Sequence, residues 1–168
     1  MKDFSKKSAM FIAQAALIAA LYTVVTYYVA AFNLASGAIQ IRISEALCVL
    51  PVFTPAAIPG LFLGCLISNT VTGAPIYDIL FGSLATLVGA FGTWGLKNTK
   101  FAYTLPPVLS NMIIIPLVLK FAYHLDDAYW FLVITVGLGE VISICVLGTL
   151  LKNALWKFRY VLFEREGE

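Results

Sequence analysis

Charge is the scarcest property of this sequence. Asp, Glu, Lys and Arg together supply 12% of its 168 residues, against about a quarter in an ordinary soluble domain. What charge there is gathers at the chain ends and in one short loop. The net value of +2 is too small and too scattered for a nucleic-acid surface, which needs a basic stripe with interleaved aromatics. Cysteine is sparse as well. Cys48, Cys65 and Cys145 lie in apolar runs without C-x-x-C spacing, which argues against a disulfide framework or a zinc site and reads as small buried hydrophobes. His124, the one histidine, has Asp126 and Asp127 beside it, but a lone histidine at a turn is more often a solvated surface group than a ligand. No metal and no cofactor is expected. A G-x-x-x-x-G-K-[ST] loop is missing, so the chain cannot hydrolyse ATP by that route. G-x-S-x-G and H-E-x-x-H are missing too, and no nucleophile-and-base constellation suggests an enzyme. Nor is there an internal repeat of the kind many secondary transporters show.

What the chain does have is apolar surface. Hydrophobic residues make up 61% and the mean hydropathy is +0.91, values that belong in a bilayer. The length holds a single domain, residues 1–168, of about six short spans at about 20 residues each. The expected fold is an all-α integral membrane protein of six transmembrane helices. The first span runs from about Ser8 to Phe32. Its basic start resembles a signal peptide, but the apolar run exceeds the usual 7–15 residues of one, so it is expected to be retained. Asn33 to Gln40 makes a loop. Pro51, Pro55 and Pro59 interrupt the next apolar stretch, which splits into a second span, Ile41 to Phe53, too short to cross alone, and a third, Pro55 to Val71. The fourth runs from Ile76 to Trp94, the fifth from Phe101 to Tyr123, and the sixth from Ala128 to about Trp156.

Positive residues set the orientation. Lys2, Lys6, Lys7, Lys97, Lys100, Lys152, Lys157, Arg159 and Arg165 fall on one side of such a bundle, and only Arg42 and Lys120 lie near the other. Both termini are therefore expected in the cytoplasm. The loop after the first span, the turn Thr72 to Pro75 and the turn from His124 to Asp127 then lie outside.

Against this apolar background four charged residues stand out: Arg42, Glu45, Asp78 and Glu140. A charge within a membrane helix costs about 2.5 kcal/mol or more and is a functional-site candidate by default. Arg42, Glu45, Asn69, Tyr77 and Asp78 share the outer half, while Asn111 and Glu140 lie deeper, as an outward pocket would require. Each has a plainer reading. Arg42 and Glu45, three apart, can neutralise each other; Asn69 and Asn111 can be interhelical glue; Asp78 can cap a helix. Glu140 is hardest to dismiss, deep in an apolar helix with no cation near in sequence. Small residues mark closely packed faces: Gly60, Gly64 and Ser68 on the third span, and Gly82, Ala85, Gly89 and Gly92 on the fourth, a stripe that Asp78 extends. Gly137, one turn before Glu140, is expected to clear space beside that carboxylate.

Several of these residues sit in recognisable blocks. Ile41-Arg-Ile-Ser-Glu-Ala-Leu47, Leu50-Pro51, the run Phe53 to Leu61 with Gly64 and Asn69, Asp78 followed by Phe81 to Thr86, Pro106-Pro107 with Asn111, and Gly139-Glu140 together resemble the QueT family of queuosine-precursor transporters. These are substrate-binding S components of energy-coupling factor (ECF) importers. The resemblance covers nearly the whole chain and is most specific from Arg42 to Asn69. It implies an S-component-like six-helix bundle in the bacterial plasma membrane, an outward pocket, and a complex with a transmembrane coupling protein and two ATPase subunits. In S components a small-residue patch on the first helix docks the coupling protein, and Ala15, Ala16, Ala19 and Ala20 match it as two overlapping A-x-x-x-A pairs. Read alone, those alanines are ordinary helix packing.

Charge also bears on the ligand. Three acids against one arginine leave the candidate site negative, which a cationic, donor-rich ligand relieves. The precursors implied by the family, queuine or the aminomethyl-deazaguanine base, carry an amine and a guanine-like N–H edge. Glu140 would serve one of these and Glu45 or Asp78 the other, with Asn69 and Asn111 adding donors or acceptors and Tyr77 or Trp130 stacking on the base. Two other classes remain open: a stand-alone proton-coupled carrier with Glu140 as proton site, and a structural membrane protein whose polar groups only join helices.

Overall fold

A computed structural model describes residues 2–31, 42–121 and 128–163, with side chains from Lys6 onward. The described residues are helical, with no strand among them. Three helical runs are long and apolar enough to cross a membrane: Lys6–Ala31, Ala102–Phe121 and Tyr129–Trp156. Their outward surface is a belt of large apolar side chains, including Ile12, Leu17, Val24, Ile113, Phe131, Ile134 and Val146. Such a continuous exposed apolar surface would aggregate in water and is at home in lipid.

The first helix, α1 (Lys2–Ala31), lies along α2 (Ala57–Val71). Glycine sets their spacing. A Cβ at Gly60 would stand 2.7 Å from the Ala15 carbonyl oxygen, and one at Gly64 would stand 2.7 Å from Tyr22 Cβ. Lipid tails give two apolar helices no hydrophobic reason to associate, so this close approach, with its dispersion and weak polar contacts, holds them together. Thr23 adds a hydrogen bond from its hydroxyl to the Gly64 carbonyl, 3.3 Å. α2 then stops at a left-handed Gly73, φ +73°. Gly73 N donates to Thr70 O and Ala74 N to Asn69 O at 2.8 Å, a C-terminal motif that only a residue free of Cβ crowding enters readily.

Between α1 and α2 sits a 3₁₀ helix, Ile43–Val52, with Pro51 inside it. At about 2 Å per residue it covers only about 20 Å, short of the roughly 30 Å of hydrocarbon. Most of its residues, Ser44 to Ala46 and Cys48 to Pro51, are buried. It is an internal wedge touching α1, α2, α3 and the last long helical run. Its three-residue turn aligns Arg42, Glu45, Cys48 and Pro51 in one row.

The next helical unit begins as a π helix, Asp78–Gly82, and continues as α3 (Ser83–Gly95). α3 packs on α4 (Leu105–Phe121), where Gly89 and Gly92 receive Pro107 and Pro106, prolines tolerated in a first helical turn. Ser110 ties the pair by donating to Ala85 O at 2.9 Å, and Thr93 donates to Tyr103 O at 2.9 Å. The last long run is α5 (Tyr129–Glu140), a second π helix (Val141–Gly148) and α6 (Thr149–Trp156), followed by the short α7 (Arg159–Leu162). Gly148 admits Val49 of the 3₁₀ wedge.

Two details differ from the sequence expectation. The volume opened at Gly137 is taken by Met112 of α4, whose Cε would lie 2.8 Å from a Cβ there, so Gly137 seats a helix contact. The four alanines of α1 also divide: Ala15 and Ala19 are buried under α2, while Ala16 and Ala20 face outward. The loop Asn33 to Gln40 and the group His124, Asp126 and Asp127 lie outside the described residues.

A candidate site around two buried carboxylates

Glu45 is 1% and Glu140 7% exposed, and each interacts electrostatically with Arg42. The two carboxylates also interact with each other. Three parts of the chain make this possible: the 3₁₀ wedge supplies Arg42 and Glu45, the end of α5 supplies Glu140, and α4 supplies Asn111, which hydrogen-bonds the Glu140 carboxylate. Arg42 begins the wedge and is half-buried. Arg42 thus has two acids within its electrostatic reach, one three residues along its own segment and one from a distant segment.

The two acids are not equivalent. Glu45 is satisfied by its own protein: the Tyr22 hydroxyl donates to Oε1 at 2.5 Å and the Cys48 thiol donates to Oε2 at 3.0 Å. Glu140 has a buried oxygen, Oε2, with no hydrogen-bond partner among the described residues. Leaving a buried acceptor without a donor costs about 1–3 kcal/mol, more when it is charged, so a fold keeps one where something else is to bind. One turn farther along, the Ser143 hydroxyl is likewise buried and without a partner among the described residues.

A second polar group adjoins the first. Asn69, near the end of α2, donates to the Asp78 carbonyl at 3.1 Å and to Cys65 Sγ at 3.6 Å. Cys65 in turn contacts the side chains of Tyr22 and Thr86. Asn69 therefore links the start of the fourth helical unit to the Tyr22–Glu45 pair. Asp78 is half-buried at the first position of its π helix. Tyr77 is 47% exposed and Trp130 73% exposed, the latter edge-on to Tyr129 at 5.5 Å. Both aromatics stand at the surface of the described residues.

Tyr22 and Cys48, which bond Glu45, and the buried Ser143 were not singled out as site residues by the sequence reading. A tyrosine in an apolar helix, a lone cysteine and a serine carry no local mark of function. Only the i, i+3 spacing of Glu45 and Cys48 could have pointed to one of them, and that required knowing that the segment is 3₁₀. Both π helices abut a singled-out acid, one starting at Asp78 and the other directly after Glu140. Such widened turns occur frequently at functional sites. Among the described residues no group of three His, Cys, Asp or Glu could hold a metal.

Chemically, the arrangement offers a buried acceptor of negative character next to an amide and a guanidinium, enclosed by helices. It suits a polar ligand that brings N–H donors or a positive charge.

Known proteins bear on this site. The model of the QueT transporter family matches residues 12–157, a span that includes every residue of the cluster. A curated relative, the queuosine precursor transporter QueT of Lactococcus lactis subsp. cremoris, is 36% identical over 84 residues, 49% of this chain and 49% of its own. That match spans about half the length of the relative. No solved structure matches the chain. Since the family match takes in nearly all of the described helices, this membrane protein belongs to the QueT transporter family.

Proposed function

We propose that this chain is the substrate-binding S component of an ECF-type importer and that it captures a queuosine precursor, queuine or the aminomethyl-deazaguanine base, for ATP-driven uptake. Family membership supports the transport role, and the relative's name supports the substrate class. The observation that carries the site is the buried Glu140 Oε2 without a partner among the described residues. It lies in a cluster where Glu45 and Glu140 face a single arginine. A donor-rich cation satisfies the open acceptor and relieves the excess of negative charge. Glu140 receives the ligand's amine or its N–H edge, Asn111 orients that carboxylate, and Arg42 and Glu45 close the neighbouring wall. Asn69 and Asp78 border the same region from α2 and the first π helix. Tyr77 or Trp130, both exposed, stacks on the flat base.

In this reading six helical segments, the short 3₁₀ wedge being the second, form one bundle in the bacterial plasma membrane with both termini in the cytoplasm, following the bias of its lysines and arginines. The coupling protein docks on α1 through Ala16 and Ala20, the outward pair, with two ATPase subunits beneath it. Ala15 and Ala19 serve α2 instead. The chain carries out no catalytic step of its own.

The test is calorimetry of the purified protein with each base in the absence of ATP. Saturable, high-affinity binding is expected. A flat titration with every queuosine precursor, on protein shown to be folded, refutes the reading. Uptake that persists without any ATPase partner would favour a carrier with Glu140 as its proton site.

A further inference from the structure

Serine and threonine in these helices almost always satisfy themselves. Thr23 donates to Ala19 O, Thr26 to Tyr22 O, Thr70 to Leu66 O, Ser83 to Ile79 O and Thr86 to Gly82 O, all between 2.6 and 3.0 Å. This bond to the carbonyl four residues back is the ordinary solution for a hydroxyl in an apolar helix. Ser143 breaks the pattern. It is fully buried, 0% exposed, and its Oγ has no partner among the described residues. It lies within the second π helix, where the backbone register is i→i+5 in place of the α-helical one.

The position of that hydroxyl gives it a use. Ser143 is one turn beyond Glu140, on the segment that packs against the 3₁₀ wedge carrying Arg42 and Glu45. Two buried, unpartnered polar atoms, Glu140 Oε2 and Ser143 Oγ, thus occur three residues apart where α5 passes into the π segment that packs on the wedge. One such atom is a local defect; two so close along the chain have a common explanation in a ligand that meets both.

We propose that the Ser143 hydroxyl is a direct ligand contact, forming with Glu140 a two-point reader at the inner end of the site. Glu140 accepts from an N–H of the ligand, and the hydroxyl, which is both donor and acceptor, bonds to the polar atom next to it. The ligand class is a planar heterocycle that presents adjacent hydrogen-bonding atoms along one edge. This inference rests on the substrate reading above and adds to it the residue that reads the ligand's deep edge.

The experiment pairs affinity with stability in Ser143→Ala. Calorimetry with queuine and the aminomethyl-deazaguanine base should show affinity lowered by roughly threefold to tenfold, as for one lost neutral hydrogen bond. The Tm of the ligand-free protein should be unchanged or higher, because removing an unsatisfied buried hydroxyl removes its desolvation penalty. A hydroxyl serving only the fold gives the reverse: lowered Tm and unaltered affinity. Wild-type affinity in Ser143→Ala, or a lowered Tm in the ligand-free variant, overturns the inference while leaving the substrate reading intact. Wild-type protein that binds neither base defeats the substrate reading itself, and with it this role for Ser143.

Discussion

Replacing Glu140 with Gln tests the centre of the site while keeping its shape. The side chain stays amide-sized, so the seating of Met112 at Gly137 and the fold of α5 into its π segment are undisturbed. What changes is charge. In the ligand-free protein Glu140 is buried and its Oε2 has no partner to lose among the described residues. Stability should therefore hold or rise slightly. In the complex, Glu140 exchanges an unsatisfied acceptor for a charge-assisted bond worth about 1.5–3 kcal/mol. Its neutral replacement loses that charge-assisted bond, so affinity should fall by about tenfold to a hundredfold. The measurement is calorimetric titration of wild-type and Glu140→Gln protein with the better-binding base, alongside thermal unfolding of each without ligand. Loss of affinity at constant Tm is the expected pair. Affinity within about twofold of wild type would falsify the assignment and return Glu140 to a structural role. A fall in both quantities would mean that its charge holds the 3₁₀ wedge in place.

Two further outcomes follow from the α1–α2 contact. Trp at Ala16 and Ala20 should leave ligand binding intact, because both face outward and away from the Tyr22–Glu45 pair, yet should abolish co-purification with an ATPase module and uptake; normal transport by the double variant would show that the alanines are lipid-facing. Gly64→Ala should lower Tm, since its methyl would meet Tyr22 Cβ at 2.7 Å and the Ala19 backbone at 3.1 Å, an overpacking cost of about 1–3 kcal/mol; an unchanged melting curve would mean that α1 and α2 shift apart freely, and affinity should drop with Tm because Tyr22 carries the hydroxyl that holds Glu45.

Much of the helical layout was legible before any coordinates. The apolar stretch does divide at a proline, Pro55, while Pro51 lies inside the 3₁₀ helix and Pro59 in the first turn of α2, and the small residues at 60, 64, 89 and 92 do mark close helix contacts. Both follow from local rules: proline lacks a donor wherever it stands, and a missing Cβ permits close approach wherever a partner exists. The acids were legible for the same reason, since charge in an apolar run is conspicuous without knowing its neighbours. Which partner each would meet was not. Glycine spacing at 137 looked like room for Glu140, but Met112 from another helix fills it, and of four similar alanines only two face outward. Helix type was equally hidden: the 3₁₀ row that brings Cys48 to Glu45 and the π segment that holds Ser143 depend on backbone registers that differ little in propensity. The sequence by itself determined that carboxylates are held in an apolar, helical chain, because hydropathy and charge are properties of single residues. Only the tertiary structure decided that Tyr22 satisfies Glu45 while Glu140 keeps an open oxygen, because such satisfaction depends on groups brought together from separate parts of the chain.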